Sequence, residues 1–400
     1  MVTPTVARVA QLRRCIHYCW QVVVAQIHLL KAFRFKNPSQ ADILVYDMAS
    51  VDVLHRTVLY DQQYAVLPVR GEVFYFSFNI LQNMFHYRTH MGFSHLFLKL
   101  YFVYLLACLD YISPSVVITF IDNDRTFQWL SRHYLKADFL AIQNGMRRKS
   151  CVDNKAFSPT HPCYKISMPN LVCWGPADID LYKSYGHLID NYYPCGSLWA
   201  DYYKTSLAKP NCEISYDLCY VSDWSYAEVV CGQPPGFKEG IETLLAFFVR
   251  YTVERRLRSC ISLRTSDDRE STFFQTYVGN QVKLIEREYG AMSTYAAMYK
   301  SRVIISMVSS AAVEALGWGK RVLLCNFSGD ANWDCRQDGI WNCSEPEYTF
   351  FAARLDTLRT LTEEAFQAET LLYRNATIAF NPAAPVQEFV RQWLAERKKI

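Results

Sequence analysis

Four patterns are missing from this 400-residue sequence, and each absence removes a class of protein. Beyond the N-terminal region there is no run of the ~20 uncharged apolar residues that a membrane-spanning helix needs. The stretch HLFLKLYFVYLLACLDYI at 95–112 carries Lys99 and Asp110 and is expected to be a buried helix. No C-x-x-C and no nearby histidine pair accompanies the 14 cysteines, which stand singly inside runs such as LVCWG and LLCNF. Thiols scattered this way behave as small hydrophobes in a reducing compartment, so neither a disulfide framework nor a structural metal is expected. No G-x-G-x-x-G follows an early strand, which disfavours a dinucleotide-dependent dehydrogenase. Residues 1–41 contain no Asp or Glu, while Arg8, Arg13, Arg14, Lys31, Arg34 and Lys36 surround CWQVVVAQIHLLKAF. Such a segment suits a basic helix lying on an anionic membrane face, or equally a solvated basic face of a packed helix.

What is present argues for a large folded body. The chain is 51% hydrophobic and holds 27 Tyr, 24 Phe and 9 Trp, against 20% charged residues, so it can bury sizeable cores. Its length favours two domains. A net charge of +4 gives no case for nucleic acid. The first apolar run is interrupted by Gln21, Gln26 and His28 and lacks a small-residue cleavage site, so the expected location is cytoplasmic, with peripheral attachment to the inner membrane as an option.

Strand and helix patterns alternate. ADILVYD (41–47), YAVLPV (64–69), EVFYFSF (72–78), SVVITFIDND (115–124) and DFLAIQNGMRR (138–148) read as strands, with helices at about 93–111 and at RTFQWLSRHYL. After a polar, proline-bearing stretch at 204–215 the alternation restarts with YDLCYVSDW (216–224) and runs to KRVLLCN (320–326). This predicts an α/β protein with two Rossmann-like, doubly wound parallel-sheet domains, at 1–205 and 214–380, facing across a cleft. A C-terminal helix at 381–400 is expected to pack across them.

The chemistry concentrates in SMVSSAAVEALGWGKRVLLCN (306–326). A strand enters a loop that opens a helix, whose free amides and positive dipole end suit an anion. Ser309 and Ser310 add hydroxyls at that mouth, and Glu314, one turn on, is expected to face the same ligand and accept from a ribose diol. The same residues would also serve as a plain serine N-cap with a solvent-facing glutamate.

Ser309-Ser310, Glu314-Ala315 and Gly317-Trp318-Gly319, preceded by IQNGMRR, VCWGPADIDLYKSYG and YYPCGSLWADYY, resemble the GT-B glycosyltransferases of bacterial surface-carbohydrate biosynthesis. The likeness spans roughly residues 115–326. With YVSDW opening the second half, it is most similar to the retaining β-Kdo transferases. That resemblance implies transfer of Kdo from CMP-Kdo to a saccharide acceptor, in the making of lipopolysaccharide, O-antigen or capsule, through an aspartyl-glycosyl intermediate. Asp223 matches the nucleophile, Ser222 and Arg264 join Ser309, Ser310 and Glu314 at the donor, and no metal cofactor is expected. Asp122, Asp124, Gln143, Asn144, Arg147 and Arg148 at strand ends of the first half would receive the glycan acceptor, which would be lipid-linked. Asp223 reads equally as an Asx-turn cap. Three alternatives share much of this pattern: a UDP- or GDP-sugar or CDP-glycerol donor on the same fold, a metal-dependent transferase using Asp122-Asn123-Asp124, and a two-lobed binding protein, which would need an export signal.

Overall fold

The computed structural model describes residues 32–398 except 71, 88–95, 153–164, 208–212, 226–228, 230–235, 289–291, 336 and 380–384. The basic segment through Lys31, part of the 204–215 connection and most of the loop CGQPPG therefore lie outside the described residues.

Two parallel sheets organise the chain. The first contains β2 (Ile43–Tyr46), β3 (Ala65–Leu67), β5 (Val116–Thr119), β6 (Asp138–Ile142), β7 (Ser167–Cys173) and β8 (Leu188–Pro194), in the order β3-β2-β5-β6-β7-β8. The second contains β9 (Tyr216–Val221), β10 (Ser259–Ser262), β11 (Lys283–Ile285), β12 (Ser301–Ser306) and β13 (Arg321–Leu324), in the order β11-β10-β9-β12-β13. The pairings inside both sheets are parallel, with Val45 opposite Ile118 in the first and Leu218 opposite Val303 in the second. Every residue of β2, β5 and β10 is buried, because a parallel sheet carries helices on both faces and needs near-continuous apolar strands.

EVFYFSF departs from expectation. Only Phe74–Tyr75 is extended (β4), and it pairs with Phe33–Arg34 (β1) in a separate two-stranded sheet, half-buried rather than central. The helices Val51–Thr57, Phe78–Tyr87, Asp268–Val278 and Tyr348–Thr360 were not legible as helices in the hydrophobic pattern.

The C-terminal region crosses back to the first sheet. Val386, Val390, Trp393 and Leu394 of the helix Val386–Ala395 join one core with Ile43, Val45, Val116 and Ile118. On the way, the amide of Ala379 donates to the carbonyl of Trp174 at 2.7 Å. Two motif glycines permit this crossing. A Cβ on Gly175 would overlap the carbonyl of Ala376, and one on Gly196, at φ 100°, would overlap that of Ala379. Among the described residues no helix is long and apolar enough to cross a membrane.

Candidate active site

In open α/β sheets ligands bind beyond the carboxyl ends of the strands where the strand order reverses. In the second sheet that point lies between β9 and β12. A cavity of about 350 Å³ opens there, walled by Ser222 and Asp223 after β9, Arg264 after β10, Arg287 after β11, and Ser309 and Ser310 after β12. The first half closes it with Met146 and Arg148, from the loop after β6.

The helix Ser310–Gly317 begins at this wall. Ser309 is its N-cap residue, with extended backbone and no side-chain capping bond, and the amide of Val313 is the first to turn back, donating to Ser309 O at 3.3 Å. The amides of Ser310, Ala311 and Ala312 precede that first intrahelical bond, so they have no acceptor within the helix. Arg148, Arg264 and Arg287 bring three guanidinium groups to the wall, and Asp223 is the one carboxylate among the lining residues. The balance favours an anion.

Asp223 is 4% exposed. Its Oδ2 accepts from Ser306 Oγ at 2.7 Å, Met307 N at 2.8 Å and Val308 N at 3.1 Å. It thereby ties the end of β9 to the loop leaving β12. Burial pushes its carboxyl above the usual range, while Ser306, the two amides and the Arg264 charge pull the other way. Ser222 Oγ donates to Glu270 at 2.5 Å and accepts the Trp224 amide at 3.1 Å. Arg264 reaches the carbonyl of Asp223 with Nη1 at 3.3 Å, while its own amide donates to Glu270 Oε1 at 2.8 Å.

Glu314 corrects one expectation. It does not line the cavity. It is buried, with Ser197 Oγ of the first half donating to one oxygen and Tyr295 OH of the second to the other. One turn along the axis from Ser310, it projects into the seam between halves instead of the mouth. Burial pushes its carboxyl up to about 7 against the pull of those two hydroxyls.

Most of the expected acceptor residues are also committed elsewhere. Asp122 is buried against Arg147, whose Nε donates to Oδ2 at 3.0 Å, and it also receives the Asn144 amide at 3.2 Å and Tyr182 OH at 3.3 Å. Asp124 caps the helix Arg125–His133 through Phe127 N at 2.8 Å and accepts Tyr46 OH at 2.8 Å. Gln143 spans Gly145 O at 2.9 Å and Trp174 N at 3.2 Å, and Asn144 Oδ1 accepts from Arg147 at 2.9 Å. An acidic strand end can serve its own loop as readily as a sugar, and here it does. Asp122 is thus held by arginine, and Asp124 by a helix N-terminus and Tyr46. Of the six, Arg148 alone lines the cavity, with its guanidinium carbon 5.1 Å from the Trp333 ring centroid.

Sequence reasoning missed Glu270 and Arg287. Glu270, fully buried, accepts from Ser222, the amides of Arg264 and Thr265, and Thr265 Oγ1, and so sets the loops after β9 and β10. Its D-x-x-E spacing from Asp267, the N-cap of Asp268–Val278, was the available signal. Arg287 follows a three-residue strand whose carboxyl end reaches the cleft only once the strand order is known.

Neither a protein-family model nor a curated protein sequence matches this chain. Solved structures do resemble it. UDP-GlcNAc 2-epimerase from Neisseria meningitidis, bound to UDP-GlcNAc, superposes with a TM-score of 0.54 at 14% identity, covering 88% of this chain and 99% of that one. An S. aureus MnaA–UDP complex gives 0.51 at 10% identity, over 88% and 94%. The wall teichoic acid polymerase TagF gives 0.50 at 11% identity, over 97% of both chains. These likenesses and the two parallel sheets define the fold as GT-B.

Proposed function

We propose that this chain is a glycosyltransferase that grips the phosphate of a nucleotide-sugar donor at the mouth of the helix Ser310–Gly317. The observation that carries the reading is the meeting, in one cavity at the switch point of the second sheet, of a helix N-terminus with Arg148, Arg264 and Arg287. Guanidinium groups and unpaired amides recognise phosphate oxygens by charge-assisted hydrogen bonds. Ser309 and Ser310 stand beside them. The glycan acceptor would enter from the first half, past Met146 and Arg148.

The finer reading takes Kdo from CMP-Kdo, as the resemblance of the motifs implies. In the first step the oxygen of Asp223 left by Ser306 and its loop attacks the anomeric carbon, the bond from that carbon to the phosphate oxygen breaks, and CMP departs with the electron pair. In the second, an acceptor hydroxyl displaces the aspartyl ester with net retention, and its proton passes to a base. The three donors on Oδ2 keep the carboxylate oriented and favour its ionised form against burial. A UDP-sugar donor is the second reading, supported by the UDP-containing ligands of the epimerase and MnaA structures.

A thermal-shift panel of CMP, CDP, UDP and GDP separates these, since a ligand that binds only the folded state raises the unfolding temperature. A rise with CMP supports the Kdo reading and a rise with UDP alone replaces it. No rise with any nucleotide or with CMP-Kdo would remove the transferase proposal.

A further inference from the structure

A second feature lies on the first half, outside the cavity. The helix Phe78–Tyr87 (FNILQNMFHY) contains no Asp, Glu, Lys or Arg and fully buries only Ile80. Phe78, Leu81 and Phe85, spaced three and four residues apart, fall on one stripe. They are 80%, 42% and 63% exposed. A helix on a globular surface ordinarily turns a charged or polar face to water. This one turns Phe78, Leu81 and Phe85 outward beside the uncharged polar Asn79 and Gln82 and its single histidine, His86.

The small sheet feeding the helix extends the same character. Phe35, after β1, is 81% exposed, and Phe76, after β4, is 45% exposed, their rings meeting edge to face at 5.9 Å. Scattered exposed hydrophobics need no explanation, whereas several gathered on adjoining elements mark an interaction surface. Arg34 and Lys36, both exposed, flank Phe35. The chain preceding them carries Arg8, Arg13, Arg14 and Lys31 with no acidic residue, so this edge is covalently joined to the most one-sided positive charge in the sequence.

We propose that this face is a membrane-contact surface, which seats Phe35, Phe76, Phe78, Leu81 and Phe85 among the headgroups of an anionic bilayer. Apolar side chains partition into the interface while adjacent Lys and Arg are drawn to acidic lipid, and each alone is weak. Charge decides for a bilayer over a second copy of this chain, because an isologous contact through the patch would bring two basic edges together. The inference rests on these surface residues and not on the transferase reading.

The test is co-sedimentation of the full chain with vesicles of phosphatidylcholine alone or mixed with phosphatidylglycerol, at low and high salt, for wild type and for F78S/L81S/F85S. The wild type is expected to bind the anionic vesicles about tenfold more tightly than the neutral ones, and less tightly as salt rises. The triple variant should lose about tenfold in that binding while its nucleotide-dependent thermal shift is retained. If the triple variant does not fold, F78S and F85S are read singly by the same criteria. Equal binding by wild type and variant, or no binding by the wild type, overturns the proposal. A variant that turns a wild-type dimer into a monomer without altering vesicle binding also overturns it and assigns the face to a second copy.

Discussion

Ser310 Oγ, in the first turn of the second half's helix, accepts the backbone N–H of Met146 from the first half at 3.0 Å. The contact places the loop after β6 directly over the helix mouth. Arg148, two residues on, donates to the carbonyl of Val308. The cavity wall is thus made by both halves.

Substituting Ser310 by Ala removes the acceptor for the Met146 amide as well as a hydroxyl at the mouth. The expected result is a weaker grip on nucleotide by about three- to tenfold, in line with one hydrogen bond of roughly 1 kcal/mol. Isothermal titration checks it, with the unfolding temperature as the control for folding.

Asp223→Asn keeps the shape of the side chain and removes its charge. If Asp223 is the nucleophile, transfer falls by at least about a thousandfold while nucleotide binding persists, since a covalent step has lost its attacking group. Intact-protein mass spectrometry with donor and no acceptor should detect a sugar adduct on the wild type and none on the variant. Transfer at near wild-type rate would reduce Asp223 to a residue that only positions the loop of Ser306 to Val308.

Asp122→Ala removes the carboxylate that neutralises the buried Arg147 guanidinium and leaves it the Asn144 side-chain oxygen. Breaking a buried ion pair from one side costs about 3–5 kcal/mol, so a large fall in the unfolding temperature is expected. A variant that unfolds at the wild-type temperature and loses only acceptor binding would restore Asp122 as a sugar ligand.

Glu314 supplies a pH signature. Its carboxyl is raised from 4.5 to about 7 in the folded chain, so between these values the folded state holds a proton that the unfolded state has released. Its contribution to stability is fully present below the unfolded value and is lost as pH rises through about 7. Glu314→Gln should remove this component, flattening the unfolding temperature of the protein against pH relative to wild type. Parallel profiles would mean that the Glu314 carboxyl titrates alike in the folded and unfolded states, against the account.

The legible parts of this fold were those fixed by local pattern. Buried parallel strands such as VVIT and VIIS announce themselves by continuous apolar residues, and the break at Gly317-Trp318-Gly319 marks where a helix must end before β13. The helix Asp268–Val278 did not announce itself, because DRESTFFQTYV mixes charge with aromatics and depends on its Asp267 cap and on burying Phe274 and Val278. Ser309, Ser310, Asp223 and Arg264 do line the cavity, because strand ends in such sheets point to the cleft. Asp122 and Glu314 were misread for a related reason. Sequence places a carboxylate at a strand or helix end but does not disclose that Arg147, or Ser197 with Tyr295, arrives from elsewhere in the chain to occupy it. Gly175 and Gly196 belong to the same lesson: quoted as signs of a family, they are in place to admit the crossing segment at Ala376 and Ala379.

The central claim is that a nucleotide's phosphate sits between the helix mouth and the cavity arginines. Calorimetric titration of CMP and UDP into wild type, Arg264→Ala and Arg287→Ala tests it most directly. The account predicts saturable binding of one of them to the wild type, weakened about ten- to a hundredfold by each substitution, as expected for losing a charge-assisted hydrogen bond. Unchanged affinity in both variants, with the chain still folded, would contradict it.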